Sequence, residues 1–532
     1  MRRRTFLTAA SAGIAAACSG LSGEETPPET APTADSSQTS STTPPSSSTT
    51  TSTTIPFETE DGTSPFGLGV ASGDPTTDAV VIWTRLVDGI TGNPVFEADV
   101  EVDWFVTTRP GDPSAVVASG TTVTDVSVGH SVHVDVQELE PGSTYFFWFE
   151  AQGSTSPVGR ARTVPTDPKS LRVVAASCQH YEEGFFGAWH HAAAEGADLA
   201  VMLGDMIYVR SGTSPTVRSH GSEPPTDLDG LRRRWALYVG QSPMQRVRAT
   251  MPMCAMWDDN EVASNYAGSA AYRREPTGQF IQRRAAAYQA WWEHQPVRVG
   301  PPSEAGLRIH RAIRWGSLAN LWLLDERQYR SPHVCDRLDD LPAIDACSDI
   351  DDPTRTMLGT DQEDWLADGI ATSDARWEVV ASQTVVADWL IEVGDISGLN
   401  HDQWDGYAPA RQRLFEALVA ADRALILAGD VHLGAVNNIK TPDGRNITEL
   451  VTPSISSRLD DRLALGLQMT VGNSETVHHF DTEHHGYVVV DIEQDFATAR
   501  FRHVDTSVPA GALEPGPAVD LDGRGNLIVS DS

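Results

Sequence analysis

Hydrophobic and polar positions along the chain fall into three regimes. From about Pro65 to Pro165 they alternate with period two, in AVVIWTRL, VEVDWFV, TTVTDVSV, HSVHVDVQEL and STYFFWFEA, with turn residues between the runs. Such alternation predicts half-buried strands, and the spacing predicts a small all-β sandwich of the immunoglobulin or fibronectin kind over 65–168. LEPGSTY, from Leu139 to Tyr145, reads as the turn and tyrosine that lead into a late strand of that sandwich. From about Ser170 the pattern changes to short apolar runs separated by amphipathic stretches. Strands are predicted at 171–176, 198–203, 252–257, 318–324, 377–382, 424–429, 447–452 and 485–492. Helices are predicted from about Gly184 to Glu195 and near 228–239, 281–293, 361–372 and 408–421, where Leu231, Trp235 and Tyr238 share one face. This is α/β alternation, and it predicts a layered domain over 169–507 whose site is built from several strand ends. From about Val508 the chain is rich in Gly, Pro and Asp, and 508–532 is expected to be a loose tail, able to fold back over the site.

The third regime precedes both. MRRRTFLTAASAGIAAACSG joins a basic start to an apolar run from about Phe6 to Ala17, too short to span a bilayer, so 1–18 reads as an export signal. Arg3 and Arg4 followed by Thr5, Phe6 and Leu7 resemble the twin-arginine motif of proteins exported already folded. Ala15 to Cys18 resemble a lipoprotein cleavage site with Cys18 lipidated, although Ala15 stands where leucine is usual and ordinary A-x-A cleavage stays open. Residues 19–64 are Ser, Thr and Pro-rich with almost nothing to bury, which predicts a disordered tether. The expectation is an extracytoplasmic protein, secreted or lipid-anchored, touching membrane only through its N-terminus, and a monomer.

Composition narrows the partners. Of 532 residues, 73 are acidic and 39 basic, a formal charge of −34, and the only lysines are Lys169 and Lys440. Phosphate backbones require clustered cations, so nucleic-acid binding is excluded as the main role. Five cysteines are too few for a disulfide scaffold. Cys335 and Cys347 are expected to pair after export, and Cys254, inside an apolar run, to be inert core.

Candidate chemistry sits where strands end. The runs 171–176 and 198–203 form a βαβ unit, and ligands in open α/β sheets collect beyond the carboxyl ends of parallel strands. Cys178, Asp205 and Tyr208 would converge there. GD-x-x-Y alone fits an ordinary helix cap as well. Further strands end in Asp258, Asp259, Asn260 and Glu261, in Asp430, Val431 and His432, and in Gln383. Four or five strand ends each delivering a metal-capable group are hard to ascribe to capping. His180, His190, His191, His478, His479, His484 and His485 have no partner at a recognisable ligand spacing and read as surface or packing histidines.

The ordered set FGLGVASGDPTTDAVVIWTRL, ASCQ, LGDMIY, MWDDNE, LLDERQYR, MLGTDQEDWL, DQWDGY, LAGDVH and VTPSISS resembles the PhoD-type alkaline phosphatase and phosphodiesterase family of the calcineurin-like metallophosphatase superfamily. The resemblance implies a calcineurin-like α/β sandwich behind the β domain, and a centre holding Fe³⁺ through a tyrosinate with one or two Ca²⁺ beside it. Cys178, Tyr208 and His432 suit a trivalent iron once the first two are deprotonated, with Asp205 able to bridge. Asp205, Asp259 and Asp430, with Asn265 or Gln383, are oxygen donors that favour Ca²⁺, Mg²⁺ or Mn²⁺ over zinc. Such a pair would give hydroxide from bound water near neutral pH and polarise the phosphoryl group. The chain departs from the family's WDDHE at Asn260, where an amide can donate a hydrogen bond but not a proton. Arg327, in a position resembling the family's DTRQYR, either reaches the substrate phosphate or forms a buried salt bridge to Asp325 or Glu326. Asp402, Trp404, Asp405 and Tyr407 either shape the pocket wall or simply pack. The expected activity is hydrolysis of phosphate mono- or diesters, on a small molecule, phospholipid or wall polymer. The alternatives are a phospholipase D-like or wall-polymer diesterase, and a catalytically weakened surface binding protein.

Overall fold

The computed structural model describes residues 64–528, apart from 90, 213–215, 272–275, 304–305, 335–342, 345–347, 394–395 and 523. The signal at 1–18, all but the last residue of the tether and the Cys335 to Cys347 pairing lie outside the described residues. Among the described residues no helix is long and apolar enough to cross a membrane.

The period-two region is a sandwich. Val70–Gly73, Val80–Arg85 and Ser131–Val136 form one sheet. Val116–Thr124, Val100–Thr107, Thr144–Ala151, Ser154–Thr155 and Gly159–Arg162 form the other. Val70, Val80, Ile82 and Val132 of the first share a core with Val102, Val106, Phe147 and Phe149 of the second. The Tyr145 hydroxyl accepts from the Glu140 backbone N–H at 2.8 Å and so closes the turn of LEPGSTY.

Two seven-stranded sheets follow. The first runs Met253–Ala255, Leu199–Met202, Ser170–Ala176, Gly486–Glu493, Ala497–Val504, Leu513–Leu521 and Leu527–Ile528. Its first three strands are parallel, their register set by Val174 opposite Ala200 and Ala200 opposite Met253. The second runs Arg311–Trp315, Ala319–Leu323, Trp377–Ala381, Arg423–Ala428, Asn446–Val451, Gly434–Lys440 and Val477–Asp481, with a parallel centre.

Strand periodicity makes this a layered α/β sandwich. Leu321, Leu323, Val379, Ala381, Leu425 and Leu427 join a core shared with the first sheet, along with Trp235, Val247 and Trp291 of the helices Leu228–Val239, Ser242–Thr250 and Thr277–His294. The alternate residues Trp322, Leu324, Val380, Ile426 and Ala428 point the other way. They pack with Leu366, Leu414 and Leu467 of the helices Thr360–Ala371, Ala408–Leu418 and Asp461–Thr470. Both faces of these inner strands are dry, which is why they read as continuous apolar runs.

Two expectations are corrected. The helix expected from Gly184 to Glu195 is only Gly187–Ala192, because Phe185 is drawn off to hydrogen-bond the Thr506 carbonyl and Gly196 takes a left-handed turn at φ +66°. The tail expected to be loose supplies two more strands of the first sheet, Leu513–Leu521 and Leu527–Ile528. Its Pro515 sits at a register shift opposite Arg500 to Arg502, the kind of irregularity at which a sheet admits proline.

Candidate metal centre

The parallel strands of both sheets end on the same side, and an isolated parallel bridge between Ser177 and Ser454 joins the two sheets there. Cys178 follows Ser170–Ala176, Asp205 follows Leu199–Met202, Asp258 and Asp259 follow Met253–Ala255, and Asp430 and His432 follow Arg423–Ala428. At each turn the chain takes an unusual backbone. Of nine non-glycine residues with positive φ among the described residues, five belong here: Cys178 (58°), Asp205 (57°), Asn265 (53°), Asp430 (69°) and His432 (58°). Side chains in this region are disfavoured and tend to cluster at functional sites, where the surrounding packing holds them. Gly204, at φ +122°, has the opposite requirement: a Cβ there would stand 2.5 Å from that of Asp258, so only glycine lets these two loops touch.

The result is two donor clusters sharing one residue. The Cys178 sulfur, an Asp205 oxygen and a His432 nitrogen lie within 4.8 Å of one another, and so do oxygens of Asp205, Asp258, Asp259 and Asp430. Tyr208 belongs with the first cluster: its hydroxyl donates to Asp205 at 2.8 Å and stands 2.9 Å from His432 Nε2. His432 Nδ1 donates to the Arg458 carbonyl at 3.0 Å, which leaves Nε2 with its lone pair facing the cluster. Ser457 donates to the Tyr208 oxygen at 2.8 Å, a contact that favours phenolate.

Asn260 is part of the frame. Its side-chain amide donates to Asp205 and to Asp259, each at 2.9 Å, and its backbone N–H donates to Asp205 at 3.1 Å. Asn265 lines the cleft, and its backbone N–H donates to Asp259. Gln383 donates to the carbonyls of Trp257 and Leu324, while its own oxygen is buried without a partner. Arg327 is buried behind the carboxylates and does not itself line the open cleft: its three nitrogens go to Asp258, Asp402 and Asp430. The salt-bridge reading therefore describes its position, but with different carboxylates, since Asp325 and Glu326 spend their oxygens on other groups.

Burial drives Cys178, Tyr208, Asp205, Asp259 and Asp430 toward their protonated forms. The Cys178 thiol is pushed well above its ordinary range by burial, then by Asp205 and Asp430. Tyr208 is raised by burial, then by Asp205 and Cys178. Asp205 and Asp430 are raised by burial and by their neighbouring carboxylates, and burial lifts Asp259 to about 6 against the pull of Arg327. Four carboxylates facing one guanidinium lack positive charge, and Asp258 Oδ2 is buried with no hydrogen-bond partner. Multivalent cations fit this set: they keep the acids ionised and occupy the lone pairs that no donor reaches.

Beside the clusters lies a cleft of about 320 Å³. It is lined by Tyr208, Asp259, Asn260, Asn265, Asp430 and His432 and by the apolar side chains Leu459, Leu463, Leu467, Val385 and Trp389.

The PhoD-like phosphatase family model matches residues 173–501, and the model of that family's N-terminal domain matches 49–165. The chain belongs to the PhoD-like phosphatase family. It is 35% identical over 387 residues to alkaline phosphatase D of Bacillus subtilis (strain 168), a stretch that is 70% of this chain and 66% of that protein. It also superposes on a solved structure of PhoD with a TM-score of 0.82 at 30% identity, covering 89% of this chain and 94% of the other.

Three residues of this PhoD-like site went unassigned in the sequence. Asp258 was overshadowed by Asp259, yet MWDDNE supplies both to the carboxylate cluster. Glu261 receives the backbone N–H groups of Met206 and Asp258 and ties their loops together; burial pushes its carboxyl up to about 8. Gln403, inside DQWDGY, donates to Asp430 and lines the cleft. Of the neighbours expected to form the wall, Asp405 lines the cleft, whereas Asp402 pairs with Arg327 and Arg330, Trp404 donates to Glu326, and Tyr407 donates to the Ser331 carbonyl.

Proposed function

We propose that this PhoD-like chain hydrolyses phosphate esters outside the cytoplasm, with Fe³⁺ held by Cys178, Asp205, Tyr208 and His432, and Ca²⁺ held by Asp205, Asp258, Asp259 and Asp430. Mg²⁺ or Mn²⁺ could replace Ca²⁺. The observation that carries this reading is the sharing of Asp205 between a sulfur, phenol and imidazole set and an all-carboxylate set. Electron-rich donors suit iron, and hard oxygens suit calcium. When bound, such a pair supplies Lewis acidity toward the phosphoryl oxygens and lowers the pKa of water held beside it.

The chain's own groups do the rest. His432 keeps its Nε2 lone pair aimed inward because Nδ1 is committed to Arg458. Ser457 favours the ionised Tyr208, and Arg327 fixes the carboxylates from behind. Asn260 holds Asp205 and Asp259 at the cleft mouth but has no proton to give, so the leaving alcohol departs unaided by that position. The apolar side chains of the cleft receive the alcohol portion of the ester, which favours substrates carrying an aromatic or acyl group. They also support the diesterase alternative, in which a phospholipid or wall polymer is cut. Arg3, Arg4 and Cys18 support export and a lipid anchor.

The test is turnover of an aryl phosphate and a bis-aryl phosphate by the purified chain, with product analysis, elemental analysis and a visible spectrum. A coloured, iron-containing protein whose activity requires Ca²⁺ is expected. A colourless, iron-free preparation that turns over undiminished would overturn the metal assignment, and absence of turnover with metals loaded would favour a binding role.

A further inference from the structure

Outside the catalytic cleft, a cavity of about 930 Å³ opens beside the strand Val477–Asp481 and is lined by His479, Asp481, His484, His485 and His503. We propose that Asp481, His484 and His503 form a second metal site, for a divalent transition ion of the zinc class, separate from the PhoD-like centre and not dependent on the reading above.

Asp481 Oδ2, a His484 nitrogen and a His503 nitrogen lie within 4.8 Å of one another. His484 Nδ1 stands 2.8 Å and His503 Nε2 3.5 Å from the same carboxylate oxygen, and the two rings stack at 4.3 Å and 9°. The other Asp481 oxygen accepts the backbone N–H groups of Glu483 and His484, at 2.9 and 3.1 Å, so the carboxylate is oriented with Oδ2 turned toward both imidazoles. One further observation points to a ligand. The Nε2 atom of His479, in the same cavity, is buried with no hydrogen-bond partner. Gly516 sets where the His503 ring lies, since a Cβ at 516 would come within 2.7 Å of its Nε2. Two imidazoles with one carboxylate select zinc and its neighbours rather than calcium, and three protein ligands leave a fourth position for water or His479.

The site's position gives the ion a task. Asp481 pairs with Gly434, two residues beyond His432, and His503 pairs with Gly486 in the other seven-stranded sheet. A bound ion therefore clamps an edge of one sheet to the other. It does so beside the helix Asp461–Thr470, which contributes Leu463 and Leu467 to the catalytic cleft and Ala464 and Gln468 to this cavity.

The experiment loads the chelator-stripped full chain with cobalt(II) alone and follows stoichiometry by titration calorimetry, geometry by the visible d–d spectrum, and Tm with and without the ion. Four proteins are compared: wild type, His484→Ala, His503→Gln, and Asp205→Ala, which removes the ligand shared in the catalytic cleft. Asp205→Ala is expected to keep one site with the intense bands of low-coordinate cobalt and a metal-dependent rise in Tm. His484→Ala and His503→Gln are expected to lose that equivalent or weaken it at least 10-fold, the least that removing even a hydrogen-bond partner of a metal ligand costs. Equal cobalt binding in wild type and His484→Ala would overturn the proposal. Since the His484 side chain is 48% exposed, that variant decides the matter even if His503→Gln fails to fold.

Discussion

Arg327 offers the sharpest test of how the candidate metal centre is held. Its side chain is 0% exposed and touches three carboxylates: both oxygens of Asp402, at 3.0 and 2.8 Å, Asp430 at 3.3 Å, and Asp258. Arg327→Met keeps the length and removes the charge. Breaking a buried ion pair by deleting one partner costs roughly 3–5 kcal/mol, because the other partner stays buried and uncompensated. That is about two to four decades in the unfolding constant. Asp402 still has Arg330 at 2.6 Å and His333 at 2.9 Å, which argues for the lower half of the range. The loss should also depend on pH. Burial alone would raise the Asp402 carboxyl, but Arg327 and Arg330 hold it well below its usual value. A depressed folded pKa contributes stability that is present above the unfolded value of about 3.9 and lost as pH falls through the folded one. The gap between wild type and Arg327→Met is therefore expected to be widest near neutrality and to close in acid. Urea midpoints of the metal-stripped proteins between pH 3 and pH 8, with m-values checked for equality, measure it. A variant within about 1 kcal/mol of wild type at neutral pH, or a gap that does not change with pH, would refute the account of Arg327 as the counter-charge of the cluster.

Three further outcomes are expected. Asn260→His introduces a group able to protonate a leaving alkoxide, a step that typically contributes roughly 10² to 10⁴-fold, so alkyl phosphates should gain far more than aryl phosphates in kcat/KM; equal sensitivity of both proteins to leaving-group pKa would dispose of this. In the iron-loaded protein, Ser457→Ala removes the hydroxyl that donates to Tyr208 at 2.8 Å, leaving a more electron-rich phenolate and moving the charge-transfer band to longer wavelength; an unmoved band would mean that Tyr208 does not bind the iron. Metal-stripped protein should become less stable as pH rises: Asp259 and Glu261 have folded pKa values raised to about 6 and about 8, so they bind more protons folded than unfolded, and that stability is lost from about pH 4 to pH 8. The slope should vanish if Ca²⁺ and iron, once supplied, bind as proposed; a Tm that rises with pH in the stripped protein would contradict the buried-acid description.

The layers of the fold were legible because burial writes itself into composition. Runs such as RALILA and WEVVA have both faces covered and read as strands at a glance. The strands Gly434–Lys440 and Leu513–Leu521 did not, because the first carries two asparagines and the second two prolines and a glycine at a register shift, and their pairing comes from neighbours far along the chain. Cys178, Asp205, Tyr208, Asp430 and His432 could be found because each sits just past an apolar strand in a short motif. Arg327's partners could not, since Asp258, Asp402 and Asp430 lie 69 to 103 residues away and only the packed sheets bring them together. The Asp481, His484 and His503 cluster was hidden for the same reason: two of its members are three residues apart, and the third comes from another strand.

The left-handed backbone at Cys178, Asp205, Asp430 and His432 sets this protein's durability against its purpose. Each costs about 1 kcal/mol or more, which glycine would recover, less roughly 0.5–1 kcal/mol of added chain entropy. Replacing the acids also removes a charge that must be desolvated when no ion is present. Folding yield is thus nearly blind to these positions, and a population screened only for abundance would drift toward well-behaved, inert copies.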